Sequence, residues 1–245
     1  MMANDIPAGA RQAVAPRTPS LPLSRCLLLD LDGTLVDTAP DMIGALNTLR
    51  RENALAELDP AIVRPHVSHG ARMLIRLGFG LLEDDPRFEP LRTRFLDIYA
   101  GRVAEESRLF PGMGEMLDEV EKRGLCWGVV TNKPARLTQP LLAAIGLDTR
   151  TACIVSGDTT ARAKPHPEPL LHAARMLTTP PASCLYVGDA ERDIEAGRRA
   201  GMRTLVAGFG YLAASDRPQD WMADALVEHP AQILDWLDPA PPARP

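Results

Sequence analysis

The sequence predicts an α/β fold, in which a parallel β-sheet carries helices on both faces. Short apolar runs recur without polar alternation, and continuous runs of this kind are typical of strands buried on both faces. The runs begin at Cys26, Cys126, Ala152, Cys184 and Arg203. Amphipathic stretches with helical spacing separate the later runs, and this alternation of strand and helix favours a parallel sheet. The stretches cover 112–123, 135–145, 167–177 and 191–200.

One interval of the chain is too long to be a simple crossover between strands. Roughly 100 residues separate Asp30 from Thr131, whereas a strand–helix–strand unit needs only about 30. Apolar residues from Ala39 onwards follow helical spacing, with Thr38 as a plausible N-cap and Pro40 in the first turn. Further helices are expected over 60–79 and 88–106. We therefore predict an inserted helical subdomain.

The domain boundaries follow from these elements and from the composition of the two ends. Both ends are rich in proline, and such segments bury too little apolar surface to fold. The predicted parts are disordered tails over 1–24 and 239–245, a core over 25–39 and 108–238, and a helical insert over 40–107. We assign no role to the N-terminal tail.

Charge and composition exclude several classes of protein. The net charge is −5 at pH 7, so no basic excess is available for nucleic-acid phosphates. No run of about 18 apolar residues occurs, which argues against a membrane span, and the first residues lack the apolar core of a secretory signal. The four cysteines are far apart and form no metal-binding pair motif. We expect a cytoplasmic protein with reduced thiols and with neither nucleic acid nor membrane as a partner.

The segment with the strongest chemical signal is Asp30–Thr34 (DLDGT), directly after the first buried strand. Its carboxylates, Asp30 and Asp32, point roughly the same way and repel each other unless a cation or a proton compensates. The arrangement suits a divalent cation together with a nucleophile and an acid–base group. A solvated turn is the alternative, and it is the usual interpretation of an isolated Asp-Gly pair.

With this segment the chain resembles the haloacid dehalogenase superfamily of phosphohydrolases. Three further motifs follow in the family's order: Thr131 at the end of the second strand, Lys164 in an Ala-Lys-Pro loop, and the acidic motif Gly188–Asp193. The resemblance covers the whole predicted body. It implies a Rossmann-like parallel core with an inserted α-helical cap.

The resemblance also implies a two-step phosphoryl transfer. Asp30 would attack phosphorus to form an aspartyl-phosphate, and Asp32 would protonate the leaving oxygen and then activate water. Mg²⁺ would bind the side chains of Asp30 and Asp189 and the main-chain carbonyl of Asp32. Asp193 would orient the groups around the metal, although it could instead be an ordinary acidic residue of a helix first turn.

Other residues at the strand ends are expected to hold the phosphate. The resemblance implies that Thr131 donates its hydroxyl to a phosphoryl oxygen and that Lys164 balances the charge on the nucleophile and the phosphate. Asn132 and Lys133 are further candidate substrate contacts. Taken singly, Thr131 could cap a helix and Lys164 could be solvated.

Within the insert, the segment Val67–Arg72 is the candidate patch for selecting the substrate. Gly70 would allow close approach of the backbone, and Arg72 could pair with a substrate carboxylate. His69 is a further candidate contact. A helix start with an exposed arginine is the alternative. Most other arginines of the insert, Arg92 among them, are expected on a solvated face.

The length of the insert and its Gly-x-Arg patch look like those of phosphoglycolate phosphatases. The segments Trp127–Pro134 and Phe209–Asp224 look closest to the N-acetylmuramic acid 6-phosphate phosphatase branch. Both substrates carry a carboxylate and a phosphate, so we expect a small phosphorylated metabolite, Mg²⁺ as cofactor, and a monomer or homodimer. A sugar-phosphate mutase and a non-catalytic binding protein are the open alternatives.

Overall fold

A computed structural model describes residues 24–238 of the chain. The predicted tail over 239–245 and all but the last residue of the predicted tail over 1–24 lie outside the described residues. Ser24 was included in that tail, yet it is buried and its amide donates to the carbonyl of Trp236 at 3.1 Å. These contacts place Ser24 in the folded body.

The core of the structure is a parallel sheet of six strands. The strands of the chain are β1 (Cys26–Leu29), β2 (Val36–Asp37), β3 (Arg108–Leu109), β4 (Cys126–Val130), β5 (Cys153–Val155), β6 (Cys184–Gly188), β7 (Arg203–Ala207) and β8 (Ala225–Val227). The order in the sheet is β5-β4-β1-β6-β7-β8, and every neighbouring pair in it is parallel. The predicted fold class is confirmed. Strand β8 was not predicted, because it is a three-residue run in which Leu226 is 41% exposed.

Helices cover both faces of this sheet and fill the long interval after β2. They are α1 (Ala39–Glu52), α2 (Pro60–Val63), α3 (Gly70–Phe79), α4 (Phe88–Ala100), α5 (Met113–Lys122), α6 (Ala135–Ala144), α7 (Glu168–Met176) and α8 (Glu191–Arg199). The stretch expected to be helical over 60–79 is helical, but it is not one α-helix, because a 3₁₀ segment, Arg64–His69, separates α2 from α3. Pro65 has no backbone N–H to donate to an α-helical hydrogen bond, and Gly70 at φ 73° leaves the helical conformation.

The helical insert leaves and rejoins the core at one place. Strands β2 and β3 pair antiparallel, with Val36 opposite Leu109, and so bring the two ends of the insert together. Helix α1 packs against α3 and α4 within it. The division of the chain at 40–107 stays a prediction. Among residues 24–238, no helix combines the length and the apolar character needed to cross a bilayer.

A buried aspartate ties the first helix of the insert to its last turn. Asp41 is fully buried and accepts hydrogen bonds from the amide of Ser107 at 2.8 Å, from the Ser107 hydroxyl at 2.6 Å and from the amide of Glu106 at 3.1 Å. The guanidinium of Arg102 lies 3.6 Å away. Asp41 therefore satisfies donors that would otherwise be buried without an acceptor.

We expect Asp41→Ala to lower the free energy of unfolding by about 3 kcal/mol, because it leaves these donors in the interior without an acceptor. The measurement is urea denaturation followed by circular dichroism. Glu105→Ala is the control, since Glu105 is exposed and its ion pair with Arg102 should contribute less than about 1 kcal/mol. Equal destabilisation by the two variants would contradict this account of Asp41.

Candidate active site

The candidate site lies where the carboxyl ends of three neighbouring strands meet. Asp30 follows β1, Thr131 follows β4 and Asp189 follows β6. Because β1 lies between β4 and β6 in the sheet, these residues converge on one edge, where ligands bind in parallel α/β sheets. All three are buried. The structure thus brings together residues that are far apart in the sequence.

Three carboxylates form a cluster at this edge. Asp30, Asp189 and Asp193 each offer one oxygen, and these oxygens lie within 4.8 Å of one another. Burial, with the repulsion of the neighbouring carboxylates, raises the pKa of Asp30 to about 6 and that of Asp189 to about 7. The donor set is made of hard oxygens with an excess of negative charge, and it fits Mg²⁺.

Asp193 differs from the other two carboxylates because both of its oxygens are already engaged. Its Oδ1 lies 2.7 Å from the ammonium of Lys164, and its Oδ2 accepts from the amide of Ala190 at 3.1 Å. The side chain is fully buried at the start of α8. This geometry suits a residue that holds Lys164 in position more than a direct ligand of a metal ion.

Lys164 lies at the centre of the buried charges. Its Nζ is 2.8 Å from Oδ1 of Asp30 and 2.7 Å from the hydroxyl of Tyr186. Burial opposes its charge, but Asp193 and Asp30 outweigh burial and hold the pKa of Lys164 above its ordinary value. Lys164 is therefore a cation aimed at the predicted nucleophile.

Asn132 lines the cavity, but its side chain is used to hold the Lys164 loop. Its Nδ2 donates to the carbonyl of Lys164 at 2.9 Å, and its Oδ1 accepts from the amide of Lys164 at 3.0 Å. Both polar atoms of the amide are thus engaged with the backbone. The prediction that Asn132 contacts the substrate gains no support from this arrangement.

The carboxylate of Asp32 has a different set of partners. Its Oδ1 accepts from Nζ of Lys133 at 2.7 Å and from the hydroxyl of Thr38 at 2.6 Å. Thr38 was predicted to cap α1, but its side chain makes no capping hydrogen bond, because its backbone is already helical at φ −96° and ψ −1° instead of extended. Lys133, the other candidate substrate contact, is buried over the ring of Tyr99, with Nζ 4.5 Å from the ring centroid.

The insert contributes a residue directly to the acidic cluster. The hydroxyl of Ser68 donates to Oδ2 of Asp189 at 2.6 Å and lies 3.2 Å from the carbonyl oxygen of Asp32. Gly33 makes this approach possible, because a Cβ at that position would overlap Asp189 and Ser68. Ser68 lies within the segment singled out from the sequence, but its own role was not predicted.

A cavity of about 230 Å³ opens above these residues, between the core and the insert. His69, Gly70 and Arg72, which were predicted from the sequence to contact the substrate, all line this cavity. The Arg72 guanidinium is half exposed and lies 2.5 Å from Glu83 and 3.2 Å from Glu89. Arg72 thus faces the cavity while it is paired with acidic residues of the insert.

His69 is held by a residue of the core. The guanidinium of Arg192 donates to the carbonyl of Ser68 at 2.8 Å and lies 3.3 Å from Nδ1 of His69. Burial, together with the charge of Arg192, lowers the pKa of His69. Arg192 thus joins helix α8 to the 3₁₀ segment of the insert.

Several cavity residues were missed from the sequence. The expectation of a solvated Arg92 is wrong, because Arg92 lines the cavity beside Leu96 and Tyr99. These three residues are spaced four and three apart on α4 and therefore share one face of the helix. That spacing was the available signal. Arg192 lies inside the motif Gly188–Asp193, so its position in the sequence already indicated that it would be near the site.

A family model described as haloacid dehalogenase-like hydrolase matches residues 27–207. The chain belongs to this family. The N-acetylmuramic acid 6-phosphate phosphatase of Pseudomonas aeruginosa is 44% identical over 216 residues, covering 88% of this chain and 96% of that protein. The phosphoglycolate phosphatase of Xanthomonas campestris pv. campestris is 43% identical over 218 residues, covering 88% of this chain and 98% of that protein. The resemblance inferred from the four motifs is confirmed.

The fold of this haloacid dehalogenase-like hydrolase is also found in solved structures. A crystal structure from Haemophilus somnus, described as a predicted phosphoglycolate phosphatase, superposes with a TM-score of 0.76 at 28% identity. The match covers 86% of this chain and 96% of that chain. The similarity therefore extends over the core and the helical insert together.

Proposed function

We propose that the chain is a Mg²⁺-dependent phosphomonoesterase that hydrolyses a small phosphate ester bearing a carboxylate. The observation that carries the proposal is the meeting of Asp30, Asp189 and Lys164 at the strand ends, with Lys164 2.8 Å from Asp30. The names of the relatives add support, because phosphoglycolate and N-acetylmuramic acid 6-phosphate both carry a carboxylate and a phosphate.

The metal would bind the side chains of Asp30 and Asp189 and the carbonyl of Asp32. When bound, Mg²⁺ supplies positive charge that polarises the phosphoryl group. Asp193 would remain outside this set, because its oxygens hold Lys164 and an amide. Ser68 would keep Asp189 oriented from the side of the insert.

In the first step an oxygen of Asp30 would attack phosphorus, so that a bond from Asp30 to phosphorus forms as the bond to the leaving oxygen breaks. Asp32 would give its proton to that oxygen. Lys133 and Thr38 both bind Oδ1 of Asp32, which leaves Oδ2 for the proton transfer. Lys164 and Thr131 would stabilise the charge on the phosphoryl oxygens.

In the second step water would attack the phosphorus of the aspartyl-phosphate. Asp32, now deprotonated, would accept the proton of the water and recover its starting state. The bond between Asp30 and phosphorus breaks, which releases inorganic phosphate. The insert lies over the cavity and would limit access of bulk water to this intermediate.

The decisive experiment compares steady-state kinetics on 2-phosphoglycolate and on N-acetylmuramic acid 6-phosphate with and without Mg²⁺. We expect Mg²⁺-dependent release of phosphate in stoichiometric yield from at least one of them. An isomerised ester without phosphate release would support a mutase instead. The absence of turnover on both esters and on a wider panel of phosphate esters would contradict the proposal.

The raised pKa of Asp189 predicts how pH affects the metal-free protein. Because folding raises this pKa from 3.8 to about 7, the stabilisation from the protonated carboxyl is complete below the lower value and is lost as pH rises through the higher one. We expect the Tm of the metal-free protein to fall between about pH 4 and about pH 7. Differential scanning calorimetry measures this.

Binding of Mg²⁺ should restore the stability that the metal-free protein loses as the pH approaches about 7. A free concentration of 100 times the Kd adds about 2.7 kcal/mol of stability. Asp189→Asn should lose the Mg²⁺ effect and keep only the smaller pH dependence that comes from the raised pKa of Asp30, whereas Asp148→Asn, on the exposed surface, should keep both in full. An Asp189→Asn protein that Mg²⁺ still stabilises fully would show that Asp189 is not a ligand.

Arg72 remains our candidate for reading the substrate carboxylate. We expect Arg72→Ala to lower kcat/KM for a carboxylated ester about 10- to 100-fold, as for a lost charged hydrogen bond, and to leave p-nitrophenyl phosphate nearly unchanged. Arg76→Ala is the control, because Arg76 is exposed on the same helix and lies outside the cavity lining. An equal loss on both substrates would show that Arg72 acts through its pairs with Glu83 and Glu89.

The finer expectations about the setting of the enzyme remain proposals. We propose a cytoplasmic location, a monomeric or homodimeric state, and no nucleic-acid or membrane partner. The net charge of −5 supports the absence of a nucleic-acid partner. We also propose that residues 40–107 act as a cap, since Ser68, His69 and Arg72 from this segment line the cavity.

A further inference from the structure

Three cysteines lie side by side at the amino end of the sheet, opposite the candidate active site. Cys126, Cys26 and Cys184 are the first residues of β4, β1 and β6, and Cys26 is in register with both of the others. All three side chains belong to the same apolar cluster, on one face of the sheet. The strand register therefore builds a row of thiols with Cys26 in the middle.

The spacing of the row is within reach of a disulfide. Neighbouring strands lie about 4.8 Å apart, and disulfides join Cα atoms that are about 4.4–6.8 Å apart. Parallel side chains keep their Cβ atoms at about the strand spacing, whereas the Cβ atoms of a disulfide are about 3.8 Å apart, so an S–S bond would require the two strand starts to approach by about 1 Å. Cys126 and Cys184 are two strands apart, which leaves Cys26 as the neighbour of each.

The thiols of the row differ in exposure and in acidity. Cys26 and Cys184 are fully buried, whereas Cys126 is partly exposed. Contact with the Cys26 thiol lowers the pKa of Cys126 to about 7 despite its burial and also lowers the pKa of Cys184, whereas the same contacts raise the pKa of Cys26. Cys126 is thus the partly exposed thiol of the row and has a lowered pKa, and Cys26 beside it is buried and has a raised pKa.

We propose that Cys126 and Cys26 are an oxidisable pair, with Cys126 as the site of attack on a peroxide and Cys26 as the resolving thiol. The Cys126 sulfur attacks one peroxide oxygen, so an S–O bond forms, the O–O bond breaks and hydroxide leaves. The Cys26 sulfur then attacks the sulfur of the sulfenic acid. An S–S bond forms, the S–O bond breaks, and the proton of Cys26 leaves with hydroxide as water.

The test uses the folded full-length chain, treated with hydrogen peroxide near neutral pH, blocked with N-ethylmaleimide and analysed by peptide mass spectrometry. We expect a linked peptide pair containing Cys26 and Cys126, a loss of two free thiols, and recovery of both with dithiothreitol. Cys126→Ser should abolish the link. Cys153→Ser should keep it, because Cys153 is in register with Gly128 and not with the row.

A second variant separates the two steps. In Cys26→Ser the sulfenic acid at Cys126 cannot be resolved, so we expect it to be trapped by dimedone in a protein whose circular dichroism is unchanged. If this variant does not fold, the Cys126→Ser result decides the matter. Oxidation of Cys126 without any link to Cys26, a link from Cys126 to Cys153 in its place, or no loss of thiols would overturn the proposal.

Discussion

Asp30→Asn is expected to lower kcat for phosphate-ester hydrolysis at least about 10⁴-fold, because the amide cannot form the bond to phosphorus. The change is nearly isosteric, so the cavity and the neighbouring residues should be preserved. Asp30 lies 2.8 Å from Lys164, and an asparagine oxygen can keep that hydrogen bond. The loss should therefore appear in kcat while substrate binding persists.

The measurement pairs steady-state kinetics with trapping of the phosphorylated protein by rapid quench. The wild-type protein should carry phosphate on Asp30 during turnover, and the Asp30→Asn variant should carry none. Asp118→Asn is the matched control, because Asp118 is 69% exposed and pairs with Arg150 on the surface. An Asp30→Asn protein that kept more than a small fraction of the turnover would assign the nucleophile elsewhere.

Lys164→Met is expected to lower kcat about 10³-fold and to destabilise the protein by about 3–5 kcal/mol near neutral pH. The methionine fills a similar volume but leaves Asp30 and Asp193 buried without their cation. Lys164 also lowers the pKa of Asp30, so its removal should favour the protonated carboxyl and weaken the nucleophile.

The stability effect has a predictable pH dependence. At acidic pH the Asp30 carboxyl is protonated and needs no cation. The difference in the free energy of unfolding between Lys164→Met and the wild-type protein should therefore be smaller there. Urea denaturation at acidic and at neutral pH measures this difference. Lys122→Met is the control, because Lys122 is 80% exposed. An effect of equal size at both pH values would show that packing, and not charge, explains the loss.

The strands and most helices could be predicted because their signals are local. The apolar runs that begin at Cys26, Cys126 and Cys184 became three neighbouring inner strands of the sheet. The break between α2 and α3 was missed, although Pro65 and Gly70 were visible, because the apolar spacing continues across it. Strand β8 was missed because its short run is completed by pairing with β7.

The motifs and their order along the chain were enough to identify the family and the candidate nucleophile. DLDGT and the later motifs can be read directly from the sequence, because each is a short set of polar residues near the end of an apolar run. The partners of the charged side chains were decided by the tertiary structure. Lys133 pairs with Asp32 across 101 positions of sequence, and Ser68 reaches Asp189 across 121. The spacing of residues along the sequence does not predict such long-range pairs. A buried charge binds whichever opposite charge or polar group folding brings within about 3 Å, because desolvation makes an unpaired charge costly.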